Sequence, residues 1–586
     1  MCGILGVVGD EEKVGRVRDR ARESLRALQH RGPDGHDLVQ GPRAILGHTR
    51  LSIVGLTHGS QPMRSPDGRL TITFNGEIYN YRELAADLER RGHRFSTGSD
   101  TEVVLAAYRE HGERCVESFH GMFAFAIYDE ASGALFAARD RFGIKPFYYA
   151  ETDGMLAFAS ETRALYALGA VPFELNPAHL DEFLVFGYVA GPATLHARLK
   201  ELEPGHLLRR EGGAVRIRRY WYPVPERAAR PSEAEAVAEV EARLDRAVRL
   251  WAPPEPDTPV FSLLSGGVDS SVVTRLLGRC CNRVTAVTAY FPEDPELDER
   301  PRARRLAEVA GIRLVEVPIP EGFLLDRFDR LAGRFDEPIH DANAFTVQAL
   351  CEAVKASDPT TKIVFCGEGS DEIFGGYARH RTIAEEYDRT GDPEILKFAR
   401  NRVALPRLRM ITDRAPRFHP ARDEILRGLR SGEAVNRVLE QDQLTFLTAY
   451  LHRQDLVGME YGLEFRTPFL EHDLTDYVNA LPSAFKIAGE WHKYILRKVA
   501  ERHVPESIAW NRSKGQLSMP VARMLERGPL RDRFEEGLRT DGRLAEYYDV
   551  RGIRSLLDQH HPAEPGADHG NTLWRLLALD AWLRSW

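Results

Sequence analysis

The sequence predicts two domains of different class. The first is a mixed α+β sheet sandwich, and the second an α/β parallel sheet that runs into a helical C-terminal part. Three observations predict this. Short β-like runs punctuated by turn residues fill the N-terminal third. Strands and helices alternate after Trp221, which implies a parallel sheet with helices on both faces. From about Gly376 onward the pattern is mostly helical. With 586 residues the chain has room for two or more domains of roughly 100–200 residues each. Residues 1–210 read as the first domain, 211–232 as a linker and 233–586 as the second.

In the first domain Cys2–Val8, Leu70–Phe74, Ala124–Tyr128, Phe147–Tyr149 and Met155–Ala159 are β-like. Ser65-Pro66-Asp67-Gly68 is a turn and Arg82–Arg91 a helix. Pro223, Pro225 and Pro231 mark the linker. Ser232 with Glu235 three positions on has the form of a capping box. Val237, Val240, Leu244 and Val248 share one face of the helix that follows. Val260–Leu264, Val284–Tyr290, Leu314–Val317 and Lys362–Cys366 are strands. Helices begin near Ser270 and span Arg302–Ala310. There is no internal repeat, and a Pro/His patch near His560–Pro565 is the only biased stretch.

Composition removes several function classes. Hydrophobic content of 43% and charged content of 28% are those of a soluble globular protein. A net charge of -8 disfavours a nucleic-acid binder. The arginine-rich stretch from Arg402 to Arg430 is interrupted by acids and lacks interleaved aromatics, so it reads as a solvated helical surface. The six cysteines form no CxxC pair, which argues against a disulfide framework or a zinc site. Reduced thiols suggest a cytoplasmic location. No apolar run approaches the ~18 residues of a membrane span, and the N-terminus lacks a signal pattern.

Chemistry enters at three places. The chain opens Met1-Cys2-Gly3-Ile4. Once Met1 is removed, Cys2 carries a thiol and a free α-amine, a base of pKa near ~8. That is a nucleophile with its base in the same residue. Next, the strand Val260–Leu264 runs into Ser265-Gly266-Gly267-Val268-Asp269-Ser270-Ser271. Ligands bind at the carboxyl ends of parallel strands, glycines let the backbone approach an anion, and a helix N-terminus holds phosphate oxygens. The loop lacks the lysine of the phosphate-transferring NTPases and resembles the pyrophosphate loop of ATP pyrophosphatases. Third, Lys362–Cys366 ends in Gly367-Glu368-Gly369-Ser370-Asp371-Glu372, followed by Gly375-Gly376-Tyr377. Carboxylates at a strand end suit Mg²⁺, with Asp269 and Asp371 as candidate ligands.

Taken together these motifs resemble the glutamine-hydrolysing asparagine synthetases over nearly the whole chain. The first half is similar to class II amidotransferases, through Cys2, His30-Arg31-Gly32-Pro33-Asp34-Gly35, Arg50-Leu51-Ser52-Ile53, Asn75-Gly76-Glu77-Ile78-Tyr79-Asn80 and Gly98-Ser99-Asp100-Thr101-Glu102. The second is similar to the synthetase domain through the two loops above, Glu464-Phe465-Arg466-Thr467-Pro468-Phe469-Leu470 and His492-Lys493-Tyr494-Ile495-Leu496-Arg497. The resemblance implies an αββα N-terminal-nucleophile hydrolase sandwich followed by an ATP-pyrophosphatase domain.

The same resemblance implies roles. Cys2 attacks the glutamine amide, and Asn75 and Gly76 form the oxyanion hole. Arg50, Asn75, Glu77 and Asp100 bind glutamine, Arg50 taking its carboxylate and Glu77 and Asp100 its ammonium. ATP falls to Leu264, Ser265, Gly266, Gly267, Asp269, Ser270 and Val287, with Gly367 and Glu368 near the nucleotide and acyl group. Lys493 and Glu368 stand at the reaction centre, and Arg453 aligns more loosely near the intermediate. Ammonia released at Cys2 crosses a protected tunnel to an acyl-adenylate. A homodimer is also implied.

Three segments depart from the family pattern. Asp455-Leu456-Val457-Gly458-Met459 stands for Asp-Arg-x-Ser-Met, Glu471 for Asp, and Arg512-Ser513-Lys514-Gly515-Gln516 for Arg-x-Lys-x-Gly-Phe. They lie near the expected acceptor site, where a few contacts set specificity. Aspartate is the expected acceptor. Another carboxylate, such as a secondary-metabolite or cell-envelope precursor, is the alternative.

Overall fold

The strand Gly3–Val8 is buried along its whole length, as its unbroken apolar run requires. It pairs antiparallel with Ala44–Arg50 on one side and Met155–Ala159 on the other. Gly35–Gln40, Tyr148–Thr152 and Lys200–Glu201 complete a six-stranded sheet. A second six-stranded sheet runs in the order Ala214–Arg219, His206–Glu211, Ala134–Arg139, Gly121–Asp129, Leu70–Ile78, Met63–Arg64. This computed structural model describes residues 2–53, 59–152, 154–224, 230–398, 404–512, 519–539, 542–564 and 566–586. Met1, Pro225, Arg402, Ser513, Lys514, Gly515, Gln516 and Pro565 lie outside the described residues.

Between the two sheets pack Ile4, Val8, Leu46, Ala124, Ala126, Leu135, Phe147, Phe158 and Leu208. Helical residues Val14, Leu25 and Leu165 cover the outer face of the first sheet. Leu88, Val103 and Val104 cover the second. Each sheet thus buries both faces, giving the four-layer αββα sandwich. The strand predicted as Leu70–Phe74 continues to Ile78. Asn75, Gly76 and Glu77, beyond the predicted end, pair in register with Ala124, Phe123 and Met122. The helix predicted from Arg82 is Tyr81–Arg90. Ala214–Arg219, inside the stretch expected as linker, pairs with His206–Glu211 as an edge strand.

The second domain opens with Glu233–Trp251. Its capping box at Ser232 and Glu235 is formed reciprocally, and Val237, Val240, Leu244 and Val248 are buried. Five parallel strands follow in the spatial order Arg313–Pro318, Val284–Tyr290, Val260–Leu263, Ile363–Phe365, Glu464–Arg466. Chain order reverses between Val260–Leu263 and Ile363–Phe365. In an open α/β sheet such a switch point opens a crevice at the strands' carboxyl ends. Both predicted loops leave from these two strands.

The helices Ala378–Thr390, Ala434–Leu444, Phe446–Glu460 and Gly570–Arg584 build the C-terminal part. The arginine-rich stretch is not simply a solvated face. Arg422 is 1% exposed, pairs with Glu182 at 3.0 Å and lies 3.6 Å over the Phe186 ring. Its long stem and flat guanidinium bury well once a carboxylate neutralises the charge. Arg407 is buried too. Among the described residues, no helix is long and apolar enough to cross a membrane.

Candidate active sites

Cys2 sits at the start of the central strand and lines a pocket with Arg50, Gly76, Glu77, Asp100 and Glu464 among its walls. The backbone nitrogen of Cys2 donates to Asn75 Oδ1 at 3.0 Å. Asn75 Nδ2 is buried and finds no acceptor among the described residues. A buried donor held without a partner is the property an oxyanion hole needs. Gly76 has φ +150°, and a Cβ there would lie 2.1 Å from the Met122 carbonyl oxygen. Only glycine keeps its N–H in this place. Burial pushes the Cys2 thiol up, and a backbone hydrogen bond at Leu51 pulls against it.

The pocket is short of cations. Asp100 accepts from the Ile78 and Thr101 backbone N–H groups at 3.1 and 2.9 Å. Burial nevertheless pushes its carboxyl up to about 6. Burial also pushes Glu77 up, against the pull of Arg466, with Glu464 and Asp100 adding to the rise. Glu77, assigned by resemblance to the glutamine ammonium, here contacts Arg466. Arg466 also donates to Glu464 at 2.8 Å. Two carboxylates therefore share one guanidinium.

The second site forms at the switch point. Ser265 Oγ and Ser270 Oγ lie 3.2 Å apart, and the Gly267 N–H donates to Ser265 Oγ at 3.3 Å. The helix that follows runs Val268–Leu277, two residues earlier than predicted, so its N-terminus opens onto this loop. Gly266 has φ +74°, and a Cβ there would meet Arg302 Cβ at 2.6 Å. Leu264 and Val287 are fully buried, and the Leu264 N–H donates to the Val287 carbonyl at 2.9 Å. Gly367 packs on Asp269, where a Cβ would stand 3.0 Å from the Asp269 Cβ.

Lys493 closes the site. It is 3% exposed, and its Nζ lies 2.5 Å from Asp269 Oδ2 and 2.8 Å from Asp371 Oδ1. Burial would lower its pKa, but the two carboxylates outweigh burial and raise it. Lys493 has φ +56°, the one positive φ of a non-glycine among the described residues. Strain of this kind persists where surrounding contacts over-determine the backbone. Glu368, pushed up by burial, accepts from Arg453 Nη2 at 3.1 Å, while Arg453 Nη1 donates to Asp341 at 2.8 Å.

Two family models account for the chain. One described as a glutamine amidotransferase domain matches residues 1–221, and one described as asparagine synthase matches residues 239–584. This chain belongs to the asparagine synthase family. The glutamine-hydrolysing asparagine synthetase 1 of Bacillus subtilis is 28% identical over 99% of this chain and 96% of that protein. Asparagine synthetase 3 of the same organism is 30% identical over 87% of this chain and 86% of that protein. A protein named amidase chry2 from Gibberella zeae is 29% identical over 92% of this chain and 91% of its own length. The chain is an ATP-dependent, glutamine-hydrolysing amidotransferase ligase.

In this member of the asparagine synthase family, the two sites are tied by ion pairs that sequence reasoning missed. Arg31, wholly buried, donates from Nε to the Cys2 carbonyl oxygen at 3.1 Å, from Nη1 to Glu161 at 2.9 Å and from Nη2 to Asp455 at 2.6 Å. Lys145 reaches the other Asp455 oxygen at 3.3 Å. Asp455 lies on the helix Phe446–Glu460, two residues after Arg453. One helix therefore touches the nucleophile's support and Glu368. From the edge strand of the parallel sheet, Glu464 lines the Cys2 pocket and Arg466 pairs with Glu77 in its wall. Arg31, Asp455, Glu464 and Arg466 all stood within quoted motifs, but a motif does not say which domain a side chain faces.

Proposed function

We propose that this chain makes asparagine from aspartate, with glutamine as nitrogen donor and ATP as activator. The observation that carries the proposal is the pairing, in one chain, of a pocket at Cys2 lined by Arg50, Glu77 and Asp100 with a phosphate loop facing Lys493 and Glu368.

In the first half-reaction the Cys2 thiolate attacks the side-chain amide of glutamine. The α-amine of Cys2, exposed on removal of Met1, takes the thiol proton and passes it to the leaving ammonia. Asn75 Nδ2 and the Gly76 N–H hold the oxyanion. Arg50 takes the substrate carboxylate. Asp100 and the carboxylate-rich wall with Glu77 and Glu464 take its ammonium, and the pocket's scarcity of cations supports this assignment. Water then frees glutamate from the thioester.

In the second half-reaction the Ser265–Ser270 loop holds the phosphates of ATP while the acceptor carboxylate attacks the α-phosphorus, giving an acyl-adenylate and pyrophosphate. Lys493 balances charge that gathers on the phosphate oxygens. Glu368, held by Arg453, is placed to accept a proton from incoming ammonia as it attacks the acyl carbon. Mg²⁺ fits the donor set of Asp269 and Asp371, because both carboxylates already converge on a single cationic atom, Lys493 Nζ. There it would neutralise the triphosphate. Ammonia must cross unprotonated. The apolar cluster that joins the domains, with Leu51, Met122 and Ile144 on one side and Leu264, Phe365 and Met459 on the other, is the proposed route.

The test is pyrophosphate release with ATP, Mg²⁺ and glutamine, with and without aspartate. Aspartate-dependent release, with asparagine and AMP in equal yield, is expected. Glutaminase activity with no aspartate-dependent pyrophosphate would overturn aspartate as acceptor. Cys2→Ala should keep synthesis from ammonium salts and lose synthesis from glutamine. If isotopically labelled external ammonium competes freely with glutamine nitrogen in the intact enzyme, the enclosed route is wrong.

A further inference from the structure

Away from both sites, the domain interface gathers three metal-ligating side chains. His120 precedes the strand Gly121–Asp129 of the first domain. His472 and Asp473 open the helix His472–Ala480 of the second. One ligand atom of each lies within 4.8 Å of the others. The imidazole rings face one another with centroids 4.0 Å apart. His472 Nε2 stands 3.7 Å from Asp473 Oδ1. A tetrahedral ion with ligand bonds of ~2.0–2.1 Å would set its donor atoms ~3.4 Å apart, so the His472–Asp473 pair is within a few tenths of an ångström of that spacing and His120 has to swing in by up to about 1 Å, with water completing the shell.

The surroundings orient these groups. Glu471 Oε1 lies 2.7 Å from His120 Nδ1 and 3.2 Å from His472 Nδ1. Its other oxygen accepts from Trp251 Nε1 at 2.9 Å, so the carboxylate is fixed and 3% exposed. A carboxylate facing Nδ1 favours the tautomer with its proton there, which leaves the Nε2 lone pairs bare. Histidine ligands are commonly set by such an outer carboxylate. Asp473 Oδ2 faces Arg246 at 3.4 Å, leaving Oδ1 toward His472. The two imidazoles and Asp473 are partly exposed, so an ion can enter and keep a water. Glu471 is also a point where this chain departs from the pattern it resembles. Cysteine spacing argues against a thiolate site and is silent on one built from imidazole.

We propose that His120, His472 and Asp473 form a site for a divalent transition metal of the Zn²⁺ class, clamping the glutaminase domain to the synthetase domain. Two nitrogens and one carboxylate suit Zn²⁺, Co²⁺ or Ni²⁺ and do not suit Mg²⁺, which takes oxygen. The proposal stands apart from the assigned activity.

Calorimetric titration of the full chain with Zn²⁺, in excess Mg²⁺ to occupy the carboxylates at Lys493, tests it. About one equivalent should bind tightly. His120→Ala and Asp473→Asn should each weaken that step by about tenfold or more, while sites on the other histidines stay unchanged. Co²⁺ should give the visible absorption of a tetrahedral centre in the wild type and lose it in both variants. His120→Ala guards against misfolding of the helix that carries His472 and Asp473. Zn²⁺ should also raise the melting temperature of the wild type and leave that of His120→Ala in place. Equal Zn²⁺ binding by wild type and both variants, or a Co²⁺ spectrum without tetrahedral bands, would overturn the site.

Discussion

Removing Lys493 separates its two burdens, a charge shared by two carboxylates and a strained backbone. Its ammonium lies 2.5 and 2.8 Å from Asp269 and Asp371. Taking away one partner of a buried ion pair costs ~3–5 kcal/mol, chiefly because the other charge is left uncompensated. Both carboxylates are 22% exposed, so water screens them in part and the lower end applies. Lys493→Ala should therefore lose about 3 kcal/mol. Lys493→Gly loses the same charge but relieves the left-handed φ of 56°, where a non-glycine residue pays ~1–2 kcal/mol. Glycine's greater freedom in the unfolded chain takes back part of that. The glycine variant should be about 1 kcal/mol more stable than the alanine variant. Mg²⁺ adds a third arm. In the wild type the ion competes with the ammonium for both carboxylates, and in the variants it does not. An ion at 100 times its dissociation constant stabilises by ~2.7 kcal/mol, and both variants should show this gain at lower Mg²⁺ than the wild type. The assay is urea unfolding of all three proteins across a Mg²⁺ series, beside pyrophosphate release, which should fall sharply in both variants. Equal response to Mg²⁺ in all three, with alanine and glycine variants equally stable, would refute the reasoning.

Other outcomes follow from the same geometry. Asp100 titrates near 6 in the free pocket because burial raises it. The Michaelis constant for glutamine should climb about tenfold per pH unit below that value, and Asp100→Asn should flatten the profile and raise it throughout. The folded carboxyl binds its proton more tightly than the unfolded one, so ligand-free stability should decline as pH rises from 3.8 to about 6. Saturating glutamine should offset that decline in a melting series. Gly76→Ala should cut glutaminase turnover by ~100-fold, since the new Cβ meets the Met122 carbonyl at 2.1 Å and displaces an oxyanion donor; ammonia-driven synthesis should survive. Asp455→Asn leaves Arg31 and Lys145 facing each other, and should cost about 3 kcal/mol of stability. Its glutamine-driven rate should fall about tenfold, equivalent to ~1.4 kcal/mol, with a smaller loss when ammonia is supplied directly.

Local signals carried much of the fold. The capping box at Ser232, the strand before Ser265 and the strand before Gly367 are each written in a few neighbouring residues, and each is where it was expected. Signals failed where burial depends on distant chain. The strand expected to end at Phe74 runs on through the polar Asn75 and Glu77, and its Gly76 and Glu77 line a pocket. Ala214–Arg219 looks like linker because it carries the charges that protect a sheet edge. Arg422 looks solvated until Glu182, from the far end of the first half of the chain, arrives to neutralise it. Of the candidate site residues, those in loops at strand ends were legible as loops. The contact between Arg466 and Glu77 has no signature in either segment, since it spans 389 positions.

The edge strand Glu464–Arg466 has a consequence for modularity. It supplies one wall of a pocket whose nucleophile belongs to the other domain. Residues 1–221, cut out as a free-standing glutaminase, would keep Cys2 and its oxyanion donors. They would also carry Arg31 with Glu161 but without Asp455, and Glu77 without Arg466, each short of a partner it has in the whole chain. Exchanging the first domain between relatives would meet the same obstacle unless the strand and the helix Phe446–Glu460 travelled with it. The boundary that matters for inheritance and engineering therefore runs around both sites together, and not through the linker that separates the folds.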